Sequence, residues 1–133
     1  MSGPSQRTPL SRARGLGSAK HGVGHWIGER VSSVALVPLS LWTIWAAVVI
    51  APGGYAGAVA FLSSPVNAVL AILAMTASFF HMHLGMRVII EDYIHKPGTK
   101  IALLLLNAGV CALVGAIGVF CLLKTALIAA GAF

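Results

Sequence analysis

Three long stretches free of any charged side chain, residues 31–51, 66–86 and 101–123, constrain this chain more than any other feature. A helix needs about 20 apolar residues to cross a hydrocarbon core roughly 30 Å thick, and each stretch meets that length. The rest of the composition leaves no soluble alternative. Of 133 residues, 58% are hydrophobic and 9% charged, and the mean hydropathy is +0.91. A soluble domain covers its surface with roughly 25% charged residues. The sequence therefore predicts an all-α membrane protein, one domain of three transmembrane helices over residues 31–51, 66–90 and 101–123 within a unit spanning 25–130.

Orientation follows from the cations. Arg7, Arg12, Arg14, Lys20 and Arg30 precede the first span, and Lys96 and Lys100 follow the second, whereas the expected first connection, residues 52–65, carries no charge. The positive-inside rule then puts the N-terminus and second loop on the cytoplasmic (or matrix) side. Lys124, at the end of its span, can snorkel to the headgroups. The net charge of +6 is mostly this topology signal. The basic residues form no compact patch with interleaved aromatics, which argues against a nucleic-acid partner.

Residues 1–24, rich in Ser, Arg, Gly and Pro, read as a flexible tail. A cleaved signal peptide is not expected, because the first apolar run begins late and is too long for an h-region. The Arg-rich, acid-free tail has some transit-peptide character. Cys111 and Cys121 are ten residues apart, about 15 Å along one helix. They cannot bridge each other and are expected to be buried apolar fillers. Ala108, Ala112 and Ala116, with Gly109, Gly115 and Gly118 around them, put small residues where helices approach closely in lipid. Pro38 removes a backbone donor from the first span and should kink it. Trp42 and Trp45 face lipid or a neighbouring helix.

The second span carries the chemistry. His81 and His83 lie inside it, and an intramembrane ionisable residue is a functional-site hypothesis by default. Residues three, four and seven away share a helical face. For His81 these are Ala74, Ala77, Ser78, Gly85 and Val88, nearly all small. That leaves an open slot of the kind needed by a flat macrocycle coordinated through imidazole. His83 points about 200° away, among Phe79, Phe80, Met86 and Arg87, and looks less like a ligand. His81 precedes Asp92 by eleven residues, about 16 Å, which places it near mid-membrane. Haem iron is a well-attested reason for a neutral imidazole at that depth. Arg87 is one turn from Glu91 and can pair with it. Asp92 and Tyr93 together offer a relay acid and a proton donor at the membrane surface, which the carbonyl of a quinone needs on reduction.

These residues resemble a known family, the hydrophobic membrane-anchor subunit (D chain) of succinate dehydrogenase, respiratory complex II. Its signature is a histidine, a glycine four residues on, and an Asp-Tyr pair eleven residues after the histidine. His81, Gly85, Asp92 and Tyr93 reproduce it. The segment Gly-Val-Gly-His-Trp-Ile-Gly-Glu-Arg-Val, residues 22–31, resembles the family's stretch before its first helix. Length, helix count and orientation agree as well, so the likeness covers nearly the whole chain.

The resemblance implies a set of roles. His81 would be one axial ligand of haem b, with Gly85 and Ser78 bordering the haem, and the second axial histidine would come from a companion C-type membrane subunit of three helices. Tyr93 would hydrogen-bond a carbonyl of ubiquinone or menaquinone, with Asp92 assisting protonation. Arg30 would meet a haem propionate. Flavin and iron–sulfur clusters would belong to two soluble partners, a flavoprotein subunit and an iron–sulfur subunit, docked on the cytoplasmic face of a bacterial inner membrane (a mitochondrial inner membrane being the second choice). Two features depart from the simplest pattern: His83 and His95 are additional histidines, and no flavin or cysteine-cluster motif is present, so the chain cannot oxidise succinate alone. The rival reading is a small membrane scaffold or transporter component that uses His81 and His83 as a proton relay.

Overall fold

The computed structural model describes residues 8–14 and 23–131, and all regular structure within them is helical. A single turn, α1 (Pro9–Ala13), is followed by α2 (Val23–Ile50). A 3-10 turn (Ala51–Gly53) leads into α3 (Gly54–Leu62), and two long helices follow, α4 (Pro65–Tyr93) and α5 (Pro97–Ala129). Three helical stretches, Val23–Leu62, Pro65–Tyr93 and Pro97–Ala129, are long and apolar enough to cross a membrane. The expected three-helix, all-α architecture is the one observed. The expected tail over residues 1–24 lies mostly outside the described residues; inside it are α1 and the start of α2.

The helices overrun the apolar stretches for a simple reason. Absence of charge marks the part that hydrocarbon tolerates, whereas a helix continues as long as its backbone bonds are made. So α2 starts at Val23 and contains Glu29 and Arg30. It also continues through Pro38. Pro65 and Pro97 each begin a helix, where the missing N–H costs nothing and the fixed φ is already helical.

The largest departure is in residues 52–65, expected as a connection and in fact mostly helix α3. Gly54 takes φ +53°, a conformation that side-chain-bearing residues resist, and this bends the path between the 3-10 turn and α3. A Cβ on Gly57 would lie 3.0 Å from the Ile50 carbonyl oxygen, so α3 begins tight against the end of α2. Phe61 then stacks on both tryptophans, with ring centroids 6.0 Å from Trp42 and 5.8 Å from Trp45. Asn67 Nδ2 donates to the Phe61 carbonyl at 3.1 Å and ties α3 to α4.

α4 is the middle member. It packs against α2 on one side and α5 on the other, antiparallel to both, and α2 and α5 make no close backbone approach to each other. Glycines set the α4–α5 spacing: an added Cβ would meet Phe79 at 3.3 Å from Gly115 and Met75 Sδ at 3.1 Å from Gly118. Ala108, Ala112 and Ala116 are instead exposed. Cys111 is buried as expected; Cys121 is exposed and so is not a core filler. Hydroxyls within the spans bond back to their own helix, as Thr43 does to the Leu39 carbonyl, Thr76 to Ile72 and Thr125 to Cys121, each at 2.8 Å. Such local bonds satisfy polar groups where no water competes.

Candidate functional site

His81 sits on the α2–α4 seam. Its Nδ1 is 3.0 Å from the hydroxyl of Ser32 on α2. Ser32 is 6% exposed, the one buried polar residue among those described, and its Oγ also lies 3.0 Å from the Glu29 carbonyl oxygen, to which it donates. The helices come close here because of Gly28, where a Cβ would stand 3.4 Å from Leu84 Cδ1. Beside this contact runs a groove of about 270 Å³ whose walls include Gly28, Ser32, Ala35 and Ala77. One turn beyond His81, Gly85 has nothing within 4 Å of where a Cβ would be. Of the small residues expected around His81, Ala77 lines this groove together with the larger Val31, Leu73 and Phe80, and Gly85 is open on its own side. Ser78 is exposed and borders a different hollow of about 410 Å³, shared with Trp42, Ala46 and Ala74.

His83 faces the other seam. Asn107 on α5 directs its amide nitrogen both to the His83 carbonyl oxygen, at 3.0 Å, and to His83 Nδ1, at 3.1 Å. The Asn107 oxygen accepts from Cys111 Sγ at 3.4 Å. Because a carbonyl can only accept, the amide must present NH₂ to His83, and Nδ1 must then be an acceptor. The ring proton of neutral His83 is accordingly on Nε2. The sequence reading gave His83 bulky surroundings, and Phe79 and Phe80 are indeed beside it. Across from them α5 supplies Ala108, Ala112 and Gly115, and the two helices enclose a groove of about 460 Å³. Neighbours along one helix do not reveal what the next helix contributes.

The charged end of the bundle gathers the start of α2, the end of α4 and the start of α5. Arg87 Nε donates to Glu91 Oε1 at 2.7 Å, with both side chains 41% exposed. A pair that open contributes at most about 1 kcal/mol. Lys100 Nζ donates to the Glu91 carbonyl at 2.7 Å, capping a C-terminal carbonyl with a cation where the helix dipole favours one. Asp92 and Tyr93 are both exposed, Tyr93 at 75%. Their side chains make no hydrogen bond among the described residues, so both are free to meet something from outside. Arg30 is exposed, with its guanidinium 5.6 Å over the Trp26 ring. Two residues from Ser32, it points about 200° around α2 from it. The structure thus joins His81 to Ser32 across the α2–α4 seam, and leaves Arg30, Asp92 and Tyr93 exposed.

Sequence reasoning missed Ser32 and Asn107. Both are polar side chains within apolar helices, so each could have been sought as the partner of an intramembrane histidine. Among the described residues no three His, Cys, Asp or Glu side chains come together as they would around a free metal ion. One imidazole whose Nε2 has no partner among the described residues suits instead a metal already held in a flat macrocycle, which needs few ligands from protein.

Comparison with known proteins gives a consistent picture. The family model for the succinate dehydrogenase/fumarate reductase transmembrane subunit matches residues 4–129. The succinate dehydrogenase hydrophobic membrane anchor subunit of Rickettsia bellii (strain RML369-C) is 34% identical over 88 residues, covering 66% of this chain and 70% of its own. That of Rickettsia conorii (strain ATCC VR-613 / Malish 7) is 34% identical over 93 residues, covering 68% and 74%. The Rickettsia typhi (strain ATCC VR-144 / Wilmington) subunit is 32% identical over 89 residues, covering 67% and 71%. No solved structure matches.

Proposed function

Because this chain belongs to the succinate dehydrogenase/fumarate reductase transmembrane subunit family, as a hydrophobic membrane anchor, we propose that it supplies half of a haem b site and part of a quinone site in succinate:quinone oxidoreductase. In this reading His81 would hold the haem iron through Nε2. The observation that supports it is the setting of His81: its Nε2 is unpartnered among the described residues, its Nδ1 meets Ser32 on the neighbouring helix, and Gly85, one turn on, has nothing within 4 Å of an added Cβ.

Bound there, haem would supply a one-electron redox centre. The work of this chain is to hold an imidazole at fixed depth and to leave room beside it at Ala77 and Gly85. Ser78, which lines the neighbouring hollow with Trp42 and Ala46, is left out of the haem's border. Arg30 meets a propionate once its guanidinium leaves Trp26. At the charged end, Tyr93 donates a hydrogen bond to a carbonyl of ubiquinone or menaquinone, and Asp92, one residue away, passes it a proton. A companion C-type membrane subunit brings the second haem ligand, and the iron–sulfur and flavoprotein subunits dock at the end carrying Arg87, Glu91 and Lys100. That end is cytoplasmic, and the membrane is the bacterial inner membrane.

The relay reading requires a hydrogen-bonded path between His81 and His83. They are instead held by partners on opposite neighbouring helices. The test is a reduced-minus-oxidised difference spectrum of the complex purified in mild detergent. His81→Ala should abolish or shift the b-type bands and His83→Ala should largely keep them. An unchanged spectrum in His81→Ala overturns the assignment.

A further inference from the structure

We infer that Ser32 is a positioning residue that sets the tautomer of His81. Its hydroxyl oxygen accepts a hydrogen bond from Nδ1–H and so leaves the Nε2 lone pair free for a metal. The inference rests on the haem reading for its purpose, though not for its geometry.

The argument is a count of protons. Ser32 has a single hydroxyl hydrogen and two neighbours at 3.0 Å, the Glu29 carbonyl oxygen and His81 Nδ1. The carbonyl can only accept. Both contacts are hydrogen bonds in one arrangement alone, with the hydroxyl donating to Glu29 and Nδ1–H donating to Ser32. The other arrangement, hydroxyl to Nδ1, abandons the Glu29 contact and puts the ring proton on Nε2, where it blocks coordination. Ser33 Oγ donates to the same carbonyl at 2.7 Å, so the two hydroxyls share an oxygen that also accepts the Ser33 N–H of the helix.

Burial gives the count its force. At 6% exposure Ser32 has little water to fall back on, and an unmade bond in such surroundings is costly. Asn107 completes the contrast. Two residues along α4, its amide donates to Nδ1 of His83 and fixes the opposite tautomer. An acceptor on one side of α4 and a donor on the other thus give two nearly adjacent histidines opposite capacities. A partner on the far nitrogen is also what orients metal-binding imidazoles generally, and its loss typically costs 10–100-fold in affinity.

Two measurements test the role separately from haem. In the full-length chain in detergent, with ¹⁵N-labelled histidine and without haem, ring-nitrogen shifts should report His81 with its proton on Nδ1. Ser32→Ala should move the majority of that proton to Nε2, and Ser32→Thr should restore it. Asn107→Ala should change His83 and leave His81 alone. In the purified complex, Ser32→Ala should weaken haem retention about tenfold or more. The remaining haem should have a more positive midpoint potential, because an imidazole that has lost its acceptor is a poorer electron donor; Ser32→Thr should again be near wild type. A His81 tautomer already on Nε2, or indifferent to Ser32→Ala, overturns the inference. If the tautomer responds as stated and the wild-type complex shows no b-type spectrum, the Ser32 role stands and the haem reading falls.

Discussion

His81 and His83 differ by one intervening methionine, and their surroundings make them chemically distinct. One meets a hydroxyl on α2, and the other lines the α4–α5 groove and is engaged by an amide from α5. At this scale the sites can be tested one side chain at a time. An added Cβ at Gly85 meets no atom within 4 Å, so Gly85→Leu should leave the chain's own fold intact while the side chain fills the space beside His81. Purified complex should then lose most of its b-type absorbance with an unchanged melting temperature. Tyr93→Phe keeps the ring and deletes the donor. Because positioned proton donors typically contribute 10²–10⁴-fold, quinone reduction should fall about a hundredfold, while reduction of an artificial dye by the soluble subunits stays level. The relative placement of His81, Gly85, Asp92 and Tyr93 was legible because they sit on one helix, where sequence separation gives depth and direction. Ser32 and Asn107 were not, since they come from other helices and no periodicity links residue 32 to residue 81.

Among the helices, the α4–α5 contact is governed by two glycines. A leucine at Gly115 would drive its Cβ within 3.3 Å of Phe79 and force the helices apart. Overpacking of this sort costs about 1–3 kcal/mol, so Gly115→Leu should lower the thermal transition of the complex. Gly109→Leu, with no atom within 4 Å, serves as the control and should melt like wild type unless that face is itself an interface. At Gly54, with φ +53°, alanine should cost about 1–3 kcal/mol through backbone strain, read in the same melting experiment. The three spans were legible from absence of charge alone. Helix α3 was not: residues 52–65 lack charge and contain Pro52, Gly53, Gly54 and Gly57, a composition that reads as a turn. What makes α3 helical is contact, the stacking of Phe61 on Trp42 and Trp45 and the bond from Asn67.

Seen whole, the molecule buries very little of itself. Within the most apolar window of each span only 6, 6 and 11% of residues are buried by the chain's own packing, and no large side chain among those described is fully enclosed. Trp26 is 59% exposed and Trp45 is 53% exposed. In bilayers containing brominated lipid, the isolated chain should show strong tryptophan quenching, and assembly with the companion membrane subunit should relieve part of it. Equal quenching in both states would mean that the companion covers neither ring. The resemblance to an anchor subunit was readable because topology, signature and length point the same way. The layered arrangement, with α2 and α5 kept apart, was not, because hydropathy has no information about which helix lies between the others.

The continuity of α4 has a mechanical meaning. His81 and Tyr93 are twelve residues apart on one helix without an interior proline or break, about 18 Å from end to end. That interval is built into covalent and hydrogen-bonded structure, so it works as a ruler. Neighbouring chains can rotate, tilt or exchange around it, and the spacing between the half-buried imidazole and the surface phenol stays the same. Lengthening α4 by one residue between Val88 and Ile90 would do what no change of partner can: turn Tyr93 by about 100° relative to His81 and set the two ends out of phase.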